Sequence, residues 1–314
     1  MSLRFETWME PLRREYLETF IPDGGGAVRF VVADSIDIPD VHRKLTEAAH
    51  QARLQVIDID TGKTRLHMLQ FAFFAIAAAL DWDALIQARL ERLVADAGYA
   101  WPQPGQPVPL AALAEHNGVA AMLLRTTLQQ QITREVWHDA GLAQDFRKAM
   151  MALLDARLAD DMEGLASAAL DWLRGGLRNV RDVRAAGIAT KINRQNARAM
   201  LISLCHWLRA CRHRGLVVLL DVRQMLLERR EIAEGLSYTP AAVMDCYEVI
   251  RQVIDDAEHF EGLLLLVLSD ARLINDDVPK RALGQYTALK MRVWDDVRPY
   301  GRDNPLAPLV VIAP

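Results

Sequence analysis

The chain has 314 residues, of which 51% are hydrophobic and 25% are charged, a profile typical of a globular protein with a sizeable core. Its formal net charge of -4 excludes nucleic-acid binding driven by the charge of the whole molecule, so only a local basic face remains for that role. The apolar runs are too short to cross a bilayer and the first residues lack a signal-peptide core, which predicts a soluble, cytoplasmic protein without membrane contact.

The cysteines and histidines give no sign of a disulfide framework or a metal centre. Cys205, Cys211 and Cys246 form no CxxC pair, and their odd number favours buried thiols in a reducing compartment. The histidines are scattered, without an HxxxH or HExxH pair on a predicted helix. We therefore predict no metal site.

The first third of the chain predicts a strand, a helix and a second strand. After a helical start, a glycine turn at 24–26 precedes a valine-rich strand over 27–33. The apolar spacing predicts an amphipathic helix over 40–54, and a further strand follows over 55–60. This order is typical of a parallel βαβ unit.

The middle third is predicted to be helical. A helical pattern over 66–97 is followed by a proline- and glycine-rich break at 101–107, and further helices extend to about residue 184. We predict that residues 1–98 form the first part of an α/β core and that residues 99–190 form a helical insertion. Residues 191–314 then complete the core with a lid-like helix and a last strand.

Strand character returns in the last third, at 215–221, 262–269 and 309–312. Helices are predicted between these strands, one of about 20 residues from Arg194, one ending near Asp256 and one over 279–297. The continuous apolar runs suit central strands that are buried on both faces of a parallel sheet. The predicted fold class is therefore α/β.

Several segments taken together carry a resemblance to a known family. They are residues 16–25, 196–198, 215–221, 247–256, 286–289 and 304–310. In this order they resemble the ATP-binding proteins of BREX bacteriophage-defence systems, an AAA+-like P-loop group, and the likeness runs over most of the chain. The resemblance implies a P-loop NTPase core in a bacterial defence system, working with other subunits.

The phosphate loop of such proteins, GxxxxGK[ST], is degenerate in this chain. An ungapped alignment on the first strand places at its four defining positions Ala33, Ile38, Pro39 and Asp40. The chain thus lacks the glycines that let N–H groups wrap phosphates, the lysine that reaches them and the hydroxyl that binds Mg²⁺. Asp34, Asp37 and Asp40 add negative charge where a triphosphate would lie, and each pair of like unit charges at about 5 Å costs roughly 3 kcal/mol at an effective dielectric of 20. We expect Asp37 or Asp40 to cap the following helix instead.

The second motif, Walker B, is degenerate as well. Asp221 ends an apolar strand where the family aspartate would hold Mg²⁺ through water, although a strand-end aspartate can equally cap a helix. Val222 stands where the resemblance implies a catalytic glutamate. Ser269 is a candidate γ-phosphate sensor, or alternatively a helix cap, and Arg298 is a candidate arginine of the lid.

Two further sets of residues are candidate phosphate contacts. Lys63 and Thr64, in the segment TGKT at 61–64, look like the second half of a phosphate loop, but Ile57 stands where glycine is needed; a turn with Thr64 as a helix N-cap is the alternative. Residues 174–198 hold seven basic residues against one acidic residue. If the helix persists, spacings of four, three and three place on one face Arg174, Arg178, Arg181 and Arg184. Such a stripe is able to contact DNA or RNA phosphates, or to remain a solvated face or a face docked on an acidic partner.

The leading hypothesis is a catalytically inactive ATPase-family subunit, with no bound ATP or Mg²⁺, that acts as a scaffold or regulator in an anti-phage complex. Its expected partners are other defence proteins, including an active ATPase paralogue, and assembly into an oligomer is a further expectation. One alternative is a nucleotide switch or weak ATPase that uses a non-standard site. A second alternative is a nucleic-acid-binding module.

Overall fold

The computed structural model describes residues 2–158, 163–278, 280–294 and 304–314, and the chain forms two compact units. The first, the α/β unit, comprises residues 1–76 and 213–314. The second, the helical unit, comprises residues 77–212. The predicted insertion, residues 99–190, lies within the helical unit.

The α/β unit is built on one parallel sheet of six strands in the order β1-β6-β2-β5-β4-β3. The strands are β1 Leu3–Arg4, β2 Ala27–Ala33, β3 Gln55–Asp60, β4 Leu216–Asp221, β5 Leu263–Asp270 and β6 Leu309–Ala313. The predicted α/β class with a parallel sheet is confirmed, and each of the five predicted strands is present. The two-residue strand β1 was not predicted.

Apolar side chains on both faces explain why the central strands form. Residues 216–220 of β4 and 263–269 of β5 are buried, and all but Ser269 of these residues are valine or leucine. Both strands lie inside the sheet with a parallel neighbour on each side. Their runs therefore lack the polar alternation of a half-exposed strand.

The helices are shorter and more interrupted than the sequence pattern predicts. They are α1 Phe5–Pro11, α2 Ile38–Gln51, α3 Leu69–Ala79, α4 Trp82–Asp96, α5 Leu110–His116, α6 Ala121–Ile132, α7 Gln144–Leu158, α8 Glu163–Arg174, α9 Ala197–Ala210, α10 Arg223–Leu226, α11 Pro240–Asp255 and α12 Thr287–Val293. A π-helical segment, Leu12–Phe20, continues α1. The predicted helix over 66–97 is divided where Asp81 caps α4 by accepting a hydrogen bond from the Ala84 amide at 3.0 Å. The helix predicted over 279–297 is represented among the described residues by the short 3-10 helix Leu283–Gln285 and by α12.

One face of the sheet is covered by α1, its π-helical continuation and α2. Phe5, Trp8 and Leu17 from the first two segments pack in one buried cluster with Val41 and Leu45 of α2. Alternate residues of β2, β4 and β5 complete this cluster, since successive side chains of a strand point to opposite faces. The face covered by α2 is the one that carries the candidate site described below.

The helical unit contains α4 to α9 and, among its described residues, no strand. Its core includes the fully buried rings of Trp82, Phe146, Trp172 and Trp207. All three cysteines of the chain are buried and free, as predicted. Within the described residues, no single helix is long and apolar enough to cross a membrane; only α3 and α4 taken together reach that length and composition.

A cluster of ion pairs joins α11 to the residue preceding α12. Glu248 accepts hydrogen bonds from Arg251 at 2.6 and 2.7 Å and from Gln252 at 2.9 Å, and the Tyr286 hydroxyl donates to it as well. The Arg251 hydrogen bonds, aided by those from Tyr286 and Gln252, lower the pKa of Glu248 to about 2, although burial acts in the opposite direction. Glu248 therefore stabilises the fold more strongly when it is ionised than when it is protonated.

We expect a pH-dependent effect of Glu248→Gln on the melting temperature. Because the folded-state pKa lies below the ordinary value of 4.5, the stabilisation by Glu248 is fully present above pH 4.5 and is lost as the pH falls towards 2. The difference in melting temperature between the original chain and the variant should shrink over this range. Glu258→Gln, at a side chain that is 83% exposed, is the control and should show no such trend. A difference that stays constant from pH 7 to pH 2 would contradict the assignment.

Candidate functional site

The carboxyl ends of the parallel strands meet at one edge of the sheet, where open α/β sheets usually bind ligands. We call this region the carboxyl edge; it comprises the ends of β2, β3, β4 and β5 and the segments that follow them. The strand register pairs Asp60 with Asp221, and Ala33 with Asp270. Strand alternation directs the side chains of these three aspartates to the face covered by α2.

Asp221, the candidate Mg²⁺ residue, is held by an arginine two positions further along the chain. Its Oδ1 accepts from the Arg223 amide at 3.0 Å and from Nε at 3.1 Å, and its Oδ2 accepts from Nη2 at 2.6 Å. The hydrogen bonds to Asp221 raise the pKa of Arg223 despite burial, with help from the charges of Asp270 and Asp60. The Arg223 guanidinium is therefore paired with Asp221 and also feels the charges of Asp60 and Asp270.

Asp270 forms the same arrangement at the end of the neighbouring strand. Its Oδ1 accepts from the amide and Nε of Arg272, both at 3.0 Å, and its Oδ2 accepts from Nη2 at 2.6 Å. Burial would raise the pKa of Asp270, but the hydrogen bonds and charge of Arg272 outweigh it and hold the pKa below its usual range. Bidentate pairs of this kind are the strong form of the arginine–carboxylate interaction.

This arrangement does not fit Mg²⁺ held by Asp221. A carboxylate binds Mg²⁺, directly or through water, with lone pairs that are free to do so, and both oxygens of Asp221 already accept charge-assisted hydrogen bonds. Val222, at the position of the implied catalytic glutamate, is fully buried, and its amide donates to the Leu268 carbonyl at 3.0 Å. Its side chain therefore belongs to the core rather than to a solvent-accessible site.

The loop after β2 keeps the length of a phosphate loop but is anchored differently. Strand β2 ends at Ala33 and helix α2 begins at Ile38, so residues 34–37 connect them. Ile38 is 6% exposed and packs in the core cluster, where a phosphate loop would have a glycine facing its ligand. Pro39 lies in the first turn of α2, a position that suits proline because the N–H it lacks would have no helical partner.

The acidic residues of this loop cap the helix only in part. Asp37 occupies the N-cap position of α2, as predicted, but its carboxylate accepts no capping hydrogen bond. Its carbonyl instead accepts from the amides of Asp40 and Val41, both at 3.1 Å. Asp40 lies in the first turn and pairs with Arg43 and Lys44, and the Arg43 hydrogen bond lowers its pKa.

All four backbone amides of the turn at 61–64 donate hydrogen bonds to other groups of the protein. The Thr61 amide and hydroxyl donate to the Asp221 carbonyl at 3.0 and 2.9 Å, and the Gly62 amide donates to Oδ1 of Asp60 at 2.7 Å. The amides of Lys63 and Thr64 donate to the Asp60 carbonyl at 3.0 and 2.8 Å. A phosphate at this turn would therefore meet only the exposed Lys63 ammonium and the Thr64 hydroxyl. Thr64 is not a helix N-cap, because α3 begins only at Leu69.

A segment that follows β4, residues 222–239, is fastened over this turn. The Tyr238 hydroxyl lies within hydrogen-bonding distance of the carbonyls of Thr61 and Thr64, at 2.9 and 2.7 Å, and these two carbonyls share its single proton. The Leu236 amide donates to the Gly62 carbonyl at 2.8 Å. Arg281, which is 7% exposed, donates to the carbonyls of Met225 and Tyr238 at 3.0 and 2.8 Å. The carboxyl edge is thus closed by hydrogen bonds between its own segments.

Ser269 and Arg298 are the remaining residues that the family resemblance predicts, the first as a γ-phosphate sensor and the second as an arginine of the lid. Ser269 is fully buried within β5, opposite Val32, and its hydroxyl has no hydrogen-bond partner among the described residues. The alternative of a helix cap at Ser269 is wrong, because Asp270 caps the short 3-10 helix Ala271–Leu273. Arg298 lies outside the described residues.

The arginine stripe does not lie on one helical face. Helix α8 ends at Arg174, and Gly175 adopts a left-handed conformation with φ of 76°. Arg178 lies in the connection that follows, whereas Arg181 and Arg184 lie in the 3-10 helix Val180–Ala186. The four side chains are nevertheless all exposed, within the helical unit.

Sequence reasoning missed the residues that close the carboxyl edge, namely Arg223, Arg272, Tyr238 and Arg281. A signal for two of them is visible in the sequence, because Asp-Val-Arg at 221–223 and Asp-Ala-Arg at 270–272 each follow an apolar strand. An aspartate that accepts from the amide two residues further on is a common turn, and an arginine there can form a fork with the same carboxylate.

Comparison with known proteins gives one informative match. The family model for the BREX system ATP-binding protein BrxC/D matches residues 111–314, which is more than half of the chain. No curated protein and no solved structure gives a significant match.

Proposed function

We propose that this chain, which belongs to the BREX system ATP-binding protein BrxC/D family, is a catalytically inactive subunit of a bacteriophage-defence complex. Family membership implies a role in BREX phage defence and in a system of several proteins. The finer assignment is that the chain acts as a scaffold or regulator rather than as an ATPase. In this assignment the polar groups of the carboxyl edge form hydrogen bonds within the protein instead of binding a nucleotide.

The fork between Asp221 and Arg223 is the observation that carries the proposal. A hydrolytic site of this family needs a strand-end carboxylate that is free to orient Mg²⁺ and its water. The Arg223 guanidinium already satisfies that carboxylate by two side-chain donors and neutralises its charge. The departures from the family motifs at Ile38, Pro39 and Val222 support the same proposal. The side chains of Ile38 and Val222 are buried in the core and cannot contact a nucleotide.

The alternative of a nucleotide switch at the 61–64 turn has less support. Phosphate loops bind through several backbone N–H groups that point at one anion. The four backbone amides of this turn already donate hydrogen bonds to oxygen atoms of Asp60 and Asp221. The side chains of Lys63 and Thr64 are therefore the donors of the turn that remain available.

An apolar surface on the helical unit suits a scaffold role. Met122 and Leu123 are adjacent on α6 and are 74% and 56% exposed. Large contiguous apolar patches mark sites of protein contact, and we propose that these two side chains form part of such a contact. An active ATPase paralogue of the same system is the partner that the proposal favours.

Calorimetric titration of the full chain with Mg-ATP tests the loss of nucleotide binding. We expect no saturable heat up to about 1 mM nucleotide, a limit that corresponds to binding weaker than about 4 kcal/mol. Lys63→Gln is the companion variant, since it removes the one exposed cation of the 61–64 turn. Saturable micromolar binding would overturn the proposal, and its loss in Lys63→Gln would assign the site to that turn.

A phage-plating assay tests whether the defence role needs Asp221 as a catalytic group. Because the asparagine of Asp221→Asn would keep an oxygen that can accept from Arg223, we expect the variant to retain protection against phage. The matching Asp→Asn change in the active ATPase of the same system is the positive control and should abolish protection. Loss of protection in Asp221→Asn at unchanged protein level and melting temperature would argue for catalysis by this chain.

A further inference from the structure

A compact lobe of the helical unit, residues 172–194, begins with the last three residues of α8 and continues beyond that helix. Its two ends are tied together, because Nε1 of Trp172 donates to the Thr190 carbonyl at 2.8 Å. Nζ of Lys191 donates to the carbonyls of Leu177 and Arg178 at 2.6 and 3.0 Å. We call these residues the arginine lobe.

The arginine lobe carries a local positive charge on an acidic chain. It includes six basic residues and one acidic residue, Asp182, whereas the whole chain has a formal net charge of -4. Five of the basic residues are exposed arginines whose side chains have no hydrogen bond or ion pair among the described residues. They are Arg174, Arg178, Arg181, Arg184 and Arg194.

Local geometry holds two of these arginines on the same side. Arg181 and Arg184 are three positions apart in the 3-10 helix, where residues at this spacing eclipse each other. Its start is fixed by the Asn179 side chain, which accepts from the Arg181 amide at 3.0 Å. Its end is fixed by Gly187, whose carbonyl accepts from Lys148 at 2.8 Å.

The composition of the lobe surface favours a nucleic acid over an acidic protein. Protein interfaces are centred on buried apolar or aromatic anchors, and none of the large exposed hydrophobic residues of the described chain lies in 172–194. Guanidinium groups without carboxylate partners are the side chains that best match phosphate oxygens. The one aromatic residue of the lobe, Trp172, is buried, so bases cannot stack on it as they do in single-strand binders.

We propose that the arginine lobe binds the phosphate backbone of duplex nucleic acid, independently of base sequence. This site lies in the helical unit and does not depend on whether the α/β unit binds nucleotide. The five free arginines act as phosphate contacts that position a duplex on the protein. The duplex is DNA or RNA, since both present the same row of phosphates.

Fluorescence anisotropy of the full chain with labelled duplexes, titrated over salt concentration, tests the proposal. The probes are 30-base-pair DNA and RNA duplexes of unrelated sequences and the corresponding single strands. With five phosphate contacts, affinity for duplex DNA should fall about 500-fold between 50 and 200 mM salt, a logarithmic slope of about -4.5. Different sequences should give the same affinity, and single strands should bind less well. If the DNA and RNA duplexes bind with different affinities, the tighter one identifies which nucleic acid is the ligand of the arginine lobe.

Neutralising variants separate the lobe from general electrostatic attraction. Changing Arg174, Arg178, Arg181 and Arg184 to Gln should flatten the salt slope by about 3.6, from about -4.5 to about -0.9, at about 0.9 for each lost contact. A control variant makes the same charge change at four exposed basic residues of the α/β unit. These are Arg53, Arg65, Arg229 and Lys280. Duplex binding that is absent at 50 mM salt, or that the control weakens as much as the lobe variant does, would overturn the proposal.

Discussion

Replacing Ile38 with glycine, the residue that a phosphate loop requires at this position, is expected to lower the free energy of unfolding by about 3–5 kcal/mol. Ile38 is 6% exposed and packs in the cluster that joins α1, α2 and the sheet. Its removal leaves a cavity beside the core of the α/β unit, and glycine also increases the conformational freedom of the unfolded chain. Urea denaturation followed by circular dichroism measures the change.

Pro39→Lys is the matched control for Ile38→Gly, because it restores the neighbouring lysine of the phosphate loop at an exposed position. We expect it to change the free energy of unfolding by less than about 1 kcal/mol, as is usual for surface substitutions. A cost for Ile38→Gly no larger than that of the control would contradict the view that this position is committed to the core. Ile38 would then be an incidental replacement, and a degenerate loop could regain its glycine freely.

Arg281→Met is expected to be the other strongly destabilising change, with a loss of about 2–5 kcal/mol. Arg281 donates hydrogen bonds to the carbonyls of Met225 and Tyr238. These carbonyls lie near opposite ends of the segment over the carboxyl edge, residues 222–239. Methionine keeps much of the apolar stem but leaves both carbonyls without this donor in a buried environment. Denaturation curves should show a lower midpoint with an unchanged slope.

Lys280→Met makes the same exchange of a cation for methionine at the preceding, exposed residue and should change the free energy of unfolding by less than about 0.5 kcal/mol. Limited proteolysis adds a local measurement, since cleavage within residues 222–239 should become faster in Arg281→Met. Equal stability of the two variants would show that the Arg281 hydrogen bonds are replaced by water at no cost.

The sheet was predictable because parallel strands that are buried on both faces have continuous apolar sequences. Strand β3 begins and ends at the predicted residues, and β4 and β5 differ from the prediction by one residue at their ends. Strand β1 was not predictable in this way, since two residues form no pattern and its pairing depends on Ile312 and Ala313 at the far end of the chain.

The candidate site was predictable in position but not in its contacts. The ends of the strands located Ala33, Asp221 and Ser269 at the carboxyl edge or next to it. The partners of Asp221 and Asp270 depend on side-chain conformations of arginines two positions away, which a search for family motifs does not examine. The arginine stripe failed as a helix because one left-handed glycine, Gly175, ends α8 after Arg174.

The order of the strands has a consequence for how the protein is made. Strand β2, which is complete at Ala33, has as its two neighbours β5 and β6, which end at Asp270 and Ala313. During synthesis β2 must therefore remain unpaired while most of the chain emerges, including the whole helical unit. A ribosome that stalls or a message that is cut before β5 would release an apolar strand with both edges open, which is the kind of segment that chaperones bind and proteases remove.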